Sequence, residues 1–83
     1  MKPIILSVHA KQVLAERNIE LGWLEAALSE PERSMPDPDD ASAERRFRAI
    51  PERGGRILRV VCREGRDTIY IVTVFFDRRA RRP

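Results

Sequence analysis

Three segments in the second half of the chain have strand-like patterns, and they constrain the fold more than any other feature. Residues 44–50 and 56–63 alternate apolar and polar side chains, and residues 68–76 are apolar on both faces. Alternation with a period of two is typical of half-buried strands, and a doubly apolar run is typical of a central strand. The connections at 51–55 and 64–67 are short and contain glycine. We therefore expect an antiparallel meander.

Two helices are predicted before these strands. Ser7 is a good N-cap for a helix over residues 8–17, because its hydroxyl can accept a hydrogen bond from the first turn. A second helix is expected over residues 20–29, where Pro31 ends it. Only a few residues around Asn18 join the two helices, so we expect them to pack as a hairpin. At 100° per residue, one face of the first helix carries Ala10, Val13, Leu14 and Arg17.

The order of these elements predicts an α+β domain. Residues 2–6 and 32–35 are candidate short strands, whereas the prolines and aspartates of residues 36–40 favour a loop. Helices at the start and strands at the end predict an N-terminal helix hairpin packed on a three- to four-stranded antiparallel sheet. We expect one domain over residues 1–77 and a basic, disordered tail over residues 78–83.

Composition excludes several classes of site. The one cysteine, Cys62, excludes an internal disulfide and any cysteine-rich metal site, and its apolar strand predicts a core residue. The aspartates of residues 36–40 lack an ordered ligand set, so neither a metal nor another cofactor is predicted. No apolar run approaches the ~20 residues of a membrane span, and no signal peptide is recognised. A cytoplasmic location without membrane partners is expected.

The basic charge lies in the second half of the chain. Residues 1–41 carry four basic and eight acidic side chains, whereas residues 42–83 carry twelve basic and five acidic ones. Arginine forks bind phosphate oxygens in pairs, so we expect RNA contact on the sheet face opposite the helices, where Tyr70 lies near four arginines: Arg46, Arg48, Arg59 and Arg63. A solvated face without a ligand is the alternative. The candidate RNA- or phosphate-binding residues are Arg46, Arg48, Arg63 and Thr73.

His9 is the only histidine and the best candidate for proton transfer near neutral pH. Metal-independent RNA cleavage needs a base for the 2′-OH, a cation for the phosphorane charge and an acid for the leaving oxygen. The candidate catalytic residues are His9, Arg17, Arg59 and Tyr70. Structural roles, such as an ion pair of Arg17 with Glu16, are the alternatives. The catalytic hypothesis requires the imidazole and the guanidinium groups to share one open cleft.

Several motifs together resemble a known family over about residues 4–77. They are Ser7-x-His9-Ala10, Glu16-Arg17-x-Ile19, Pro31, Leu58-x-Val60-Val61 and Ile71-Val72-Thr73-Val74. They resemble domain-of-unknown-function family 4258, which is similar to the RelE/ParE/BrnT-like toxin superfamily.

This resemblance implies a RelE-like fold and a toxin-like domain, a metal-independent endoribonuclease of a toxin–antitoxin system. RNA or the ribosome would be its target, and an acidic antitoxin would silence it. The family pattern carries over to His9, Glu16, Arg17 and Thr73, but Phe75 stands where a tyrosine is common. The chain also lacks the C-terminal catalytic tyrosine or histidine of RelE-type toxins. A non-catalytic RNA- or protein-binding module on the same fold is the alternative, including an inhibitor of a protein such as a topoisomerase.

Overall fold

Two helices cover one face of a five-stranded sheet in the computed structural model, which describes residues 2–80. This arrangement confirms the predicted α+β class. A short 3-10 turn, Pro51–Arg53, connects the third and fourth strands. The elements in chain order are β1 (Ile4–Leu6), α1 (Val8–Glu16), α2 (Leu21–Ser29), β2 (Arg33–Asp37), β3 (Asp40–Ile50), β4 (Arg56–Glu64) and β5 (Ile69–Phe76).

The sheet has more strands than predicted and is mixed. Its order is β1-β5-β4-β3-β2, in which β1 runs parallel to β5 and every other pair is antiparallel. The expectation of a three- to four-stranded antiparallel sheet is therefore wrong in the number of strands and in the direction of β1. Because β5 is apolar on both faces, it is best placed inside a sheet, and the short β1 pairs with the edge that the meander leaves open.

A tight hairpin replaces the loop expected at residues 36–40. Pro36 lies in β2, which is an edge strand, where a residue without an N–H is tolerated. The aspartate side chains stabilise the turn: Asp37 Oδ1 accepts from the Asp39 N–H at 2.8 Å, and Asp40 Oδ1 accepts from the Ser42 N–H at 2.9 Å. As a result β3 begins at Asp40, four residues earlier than the alternation alone predicts.

Helix α1 begins as predicted and ends earlier. Ser7 Oγ accepts from the Ala10 N–H at 3.0 Å, which confirms the N-cap. At the other end Asn18 adopts φ 53°, and the Ile19 N–H reaches the Leu14 carbonyl at 3.0 Å. This left-handed ending is the Schellman motif, which closes the last turn of a helix. Arg17 is consequently an exposed C-cap residue, and its predicted position on the buried stripe is wrong.

The two helices pack on the sheet side by side. Helix α1 contacts β5 and β1, and α2 contacts β4 and β3, so the sheet supplies the main partner of each helix. The expectation that the two helices pack mainly against each other as a hairpin is therefore wrong. The largest fully buried side chains lie between the helices and the sheet: Leu24, Leu58, Val60, Cys62, Ile71 and Val74. In residues 2–80 neither helix is long and apolar enough to cross a membrane.

The opposite face of the sheet, here called the outer face, carries a smaller apolar cluster. Phe47, Ala49 and Ile57 are buried there, and Ala80 packs against them. Residues 77–80, which fall within or next to the predicted disordered tail, fold back onto this face, and the Asp77 N–H donates to the Ile57 carbonyl at 2.8 Å. Residues 81–83, the rest of the predicted tail, lie outside the described residues.

Candidate nucleic-acid interface

The four arginines expected on one open face lie on two faces. Cross-strand partners share a face, and Arg46 and Arg48 pair with Val60 and Leu58, which are buried under the helices. Arg59 pairs with Phe47 on the outer face. The expectation of one shared basic face is therefore wrong. Both faces of this sheet bury apolar side chains, so alternation alone does not show which face of β3 the helices cover.

Arg46 and Arg48 hold the end of α2 against the sheet. Arg46 Nη1 donates to the Leu28 carbonyl at 3.1 Å, and Arg48 Nη1 donates to the Glu30 carbonyl at 2.7 Å. These carbonyls belong to the last turn and the C-cap of α2, where a cation also interacts favourably with the helix dipole. Arg46 forms an ion pair with Glu64 as well. Both guanidinium groups are thus engaged within the fold.

The other predicted residues do not meet in a single cleft. His9 is exposed near the start of α1, about 12 Å along the helix from Arg17 at its end. Tyr70 and Thr73 are half-buried on β5, where they pair with Arg63 and Val61. Arg63 forms an ion pair with Asp40 at 2.6 Å. The structure therefore does not bring the imidazole and the arginines together as the catalytic hypothesis requires.

Arg59 is the most enclosed of the predicted residues. Its guanidinium lies 4.3 Å from the centre of the Phe75 ring and 3.3 Å from an Asp77 carboxylate oxygen. Burial lowers the pKa of the Arg59 guanidinium, and its Nε is buried without a hydrogen-bond partner in the described chain. Cys62 is fully buried, and burial raises the pKa of its thiol, which fits the predicted core role rather than a nucleophile.

A basic groove at one end of the molecule does bring one predicted residue together with unpredicted ones. We call it the end groove, and its volume is about 600 Å³. It lies where the end of α1, the turn before β4 and the end of β5 meet. Its lining consists of four arginines, one asparagine and two aromatic rings: Arg17, Asn18, Arg53, Arg56, Phe75, Phe76 and Arg78.

Local sequence explains why these side chains converge. Gly54 and Gly55 have φ 65° and 79°, which glycine adopts without steric cost, so the chain reverses between Arg53 and Arg56. Because β4 and β5 are antiparallel, the first residue of β4 lies beside the last residues of β5. The arginines on either side of the glycine pair therefore meet the aromatic end of β5.

Arg53 organises the groove. Its Nη2 donates to the carbonyls of Arg17 at 2.8 Å and Asn18 at 3.2 Å, which satisfies acceptors at the end of α1. The same guanidinium lies 5.4 Å from the centre of the Trp23 ring and 5.3 Å from that of Phe76. The two rings contact each other edge to face, with centres 6.3 Å apart. Arg53 thus joins α1, α2 and β5 at one point, and Trp23 packs between α2 and the sheet.

The end groove has a strong positive charge. Arg56 lies 4.7 Å from the centre of the Phe76 ring, while Arg17 and Arg78 are exposed. Within residues 2–80, the ion pairs of the protein include none of the four arginines that line the groove. No carboxylate is part of the lining. Such a groove can bind phosphate oxygens and offer to bases the guanidinium planes that lie on its aromatic rings.

The sequence interpretation missed Arg53, Arg56, Arg78 and Phe76 as site residues. The sequence does contain a signal for them: the short connections at residues 51–55 and 64–67 predict antiparallel strands, and antiparallel pairing determines which strand ends are neighbours. The end groove contains no histidine, cysteine or carboxylate. Across residues 2–80, no cluster of three or more His, Cys, Asp or Glu side chains is arranged to hold a metal ion.

One comparison with known proteins gives a match. The model of the family DUF4258, described as a domain of unknown function, matches residues 6–76. The chain belongs to this family. No curated protein and no solved structure matches it. Membership of DUF4258 assigns no activity, so a function for this domain has to be argued from its geometry.

Proposed function

We propose that this DUF4258 domain binds single-stranded RNA through the end groove. One observation carries the proposal: Arg17, Arg56 and Arg78 line the groove beside two aromatic rings without a carboxylate partner in the described part of the chain. A single strand exposes both phosphates and unpaired bases, and grooves that bind it combine cations with stacking surfaces. The fork geometry of arginine suits both tasks.

The choice of RNA over DNA rests on the expected similarity of family DUF4258 to the RelE/ParE/BrnT-like toxin superfamily. A RelE-like fold, a toxin-like role and a cytoplasmic location are parts of the same proposal. An acidic antitoxin would find the same arginines complementary to its own charge, so it would compete with RNA for the groove. Ribosomal RNA is one source of such a strand.

Salt-dependent binding tests the proposal. Fluorescence anisotropy with a labelled oligouridylate decamer would give the affinity between about 50 and 200 mM salt. If the three arginines of the end groove each neutralise one phosphate, they contribute about −2 to the slope of log K against log salt, because single strands contribute about 0.7 per contact. Arg17→Gln and Arg56→Gln should each weaken binding and flatten the slope by about 0.7.

Arg66→Gln is the matched control, since Arg66 is exposed in the connection between β4 and β5, away from the groove lining. It should leave the slope nearly unchanged. Equal losses in all three variants would show binding governed by net charge and would contradict a defined groove. An absence of salt-dependent binding by the unmodified domain would contradict the proposal outright.

RNA cleavage by the same domain is a second candidate, and the exposure of His9 favours it. An exposed imidazole can be reached by the 2′-OH of a bound strand, which a buried one cannot. Because His9 does not line the end groove, this candidate differs from the catalytic hypothesis above: the proton-transfer step would take place toward the start of α1 without the arginines of the groove, and the strand would have to extend there. His9→Ala should abolish cleavage of a long RNA and preserve binding; cleavage at the native rate would refute a role for His9.

A further inference from the structure

A second basic groove lies on the outer face and has no role in the proposal so far. We call it the outer groove, and its volume is about 450 Å³. It contains the guanidinium-bearing side chains Arg33, Arg45, Arg59 and Arg79, together with one carboxylate, Asp77. Arg45 forms its own ion pair with Asp37 at 3.3 Å. Even with Asp37 counted, four positive charges face two negative charges, so an anion is the complementary ligand.

The carboxylate in this groove belongs to residues 77–80, here called the strap. Asp77 Oδ1 accepts from the backbone N–H groups of Arg79 at 2.9 Å and Ala80 at 3.2 Å, which fixes the turn of the strap. Asp77 Oδ2 faces Arg59 Nη1 at 3.3 Å. One side chain therefore shapes the strap with one oxygen and places a negative charge on Arg59 with the other.

Arg59 is incompletely satisfied by this partner. Charge-assisted hydrogen bonds are usually about 2.7–2.9 Å long, and the separation from Asp77 is 3.3 Å. Arg59 Nε is buried and has no acceptor within residues 2–80. A phosphate offers more acceptor oxygens than a carboxylate does and matches the guanidinium fork. The local geometry thus favours exchange of the carboxylate for a phosphate.

The two grooves meet at the end of β5. Phe75 lines the end groove, and the guanidinium that covers its ring, that of Arg59, lines the outer groove. Two consecutive arginines of the strap are divided between the grooves as well: Arg78 lines the end groove, and Arg79 lines the outer groove. A strand that occupies the end groove can therefore continue onto the outer face beside the strap.

We propose that the outer groove is a second phosphate subsite for the same RNA strand, and that Asp77 occupies it as an internal stand-in for phosphate in the free domain. Binding of a strand long enough to reach Arg59 displaces Asp77 Oδ2 from that guanidinium, while Asp77 Oδ1 keeps the turn that places Arg78 and Arg79 at the two grooves. This inference rests on the proposed function, because the strand enters from the end groove. It adds a length requirement and a competing carboxylate to that function.

Asp77→Asn tests the stand-in role. The amide oxygen can still accept from the N–H groups of Arg79 and Ala80, while the charge that faces Arg59 is removed. The variant should bind an oligouridylate decamer about two- to fivefold more tightly than the unmodified domain, the range expected for loss of a partly exposed ion pair. It should bind a trinucleotide with unchanged affinity, because a trinucleotide is accommodated by the end groove alone.

Asp67→Asn is the matched control, because Asp67 is exposed in the connection between β4 and β5 and its loss changes the net charge equally. It should leave decamer binding close to that of the unmodified domain. Equal tightening by the two variants, or equal tightening of decamer and trinucleotide by Asp77→Asn, would overturn the stand-in role. Thermal unfolding of each variant verifies that the domain remains folded.

Arg79→Gln tests the subsite from the opposite side. It should weaken decamer binding and leave trinucleotide binding unchanged. If the trinucleotide binds and the decamer gains nothing over it, the second subsite is refuted while the end groove stands. If neither oligonucleotide binds the unmodified domain, both the proposed function and this inference are refuted.

Discussion

Replacement of Arg53 by methionine should strongly destabilise the fold. Methionine keeps the unbranched aliphatic stem and removes the guanidinium, so it loses both hydrogen bonds to the end of α1 and both ring contacts. A hydrogen bond from a charged group contributes about 1.5–3 kcal/mol when buried, and these half-exposed ones belong at or below the lower end. Each cation–π contact at an exposed site contributes about 0.5–1 kcal/mol.

Arg53→Met should lower the free energy of unfolding by about 2 kcal/mol, because water partly replaces the lost hydrogen-bond donor at the two carbonyls. For a domain of this size, 1 kcal/mol corresponds to about 4–8 °C in the unfolding midpoint, so Arg53→Met should lower Tm by about 8–16 °C. Circular dichroism at 222 nm, followed on heating at neutral pH, measures the shift. The Tm of Arg53→Lys should lie between those of Arg53→Met and the unmodified domain, since an ammonium keeps the charge but lacks the planar fork of the guanidinium.

Arg66→Met supplies the comparison, because Arg66 is exposed and lies outside both grooves. Its Tm should remain within about 3 °C of the unmodified domain, as expected for a surface substitution. A Tm for Arg53→Met as close to the unmodified value as that of Arg66→Met would refute the role of Arg53 in holding α1, α2 and β5 together.

Two further predictions concern pH and the core. Hydrogen bonds from Ser42 and Arg63 lower the pKa of Asp40 from 3.8 to about 2; the stability that this carboxylate contributes is complete above pH 3.8 and is lost as pH falls toward 2. Tm should fall over that interval, and less steeply in Asp40→Asn; parallel curves would exclude the carboxylate. In urea unfolding, Leu58→Ala should lower the free energy of unfolding by about 2–5 kcal/mol, because Leu58 is fully buried. Leu21→Ala, at a side chain 52% exposed, should lower it by less than about 1 kcal/mol. Similar losses in the two variants would contradict the packing described.

Local patterns predicted the elements well because each pattern has one physical cause. The hydroxyl of Ser7 caps α1, and the doubly apolar β5 lies inside the sheet. The end of α1 was placed too late, since helical periodicity continues through Arg17 and no glycine stops it. The left-handed residue is Asn18, which also adopts this conformation, and the apolar Ile19 after it is typical of the motif.

The site was harder to predict because it depends on which strand ends and which faces become neighbours. Alternation showed that Arg46 and Phe47 lie on opposite faces, but it did not show which face the helices cover. The parallel pairing of β1 with β5 leaves no local signal, because it joins residues more than sixty positions apart. The end groove, by contrast, lies where the antiparallel strands β4 and β5 bring their ends together, and this neighbourhood can be predicted from the short connection between the two strands.

Chemical-shift mapping of RNA binding tests the central claim most directly. Titration of the ¹⁵N-labelled domain with an oligouridylate trinucleotide should shift the backbone amides of Asn18, Gly54, Gly55 and Phe76, which surround the end groove. The amide of His9, at the far end of α1, should remain in place. Shifts confined to the start of α1, or no shifts at all, would contradict the claim that this groove binds RNA.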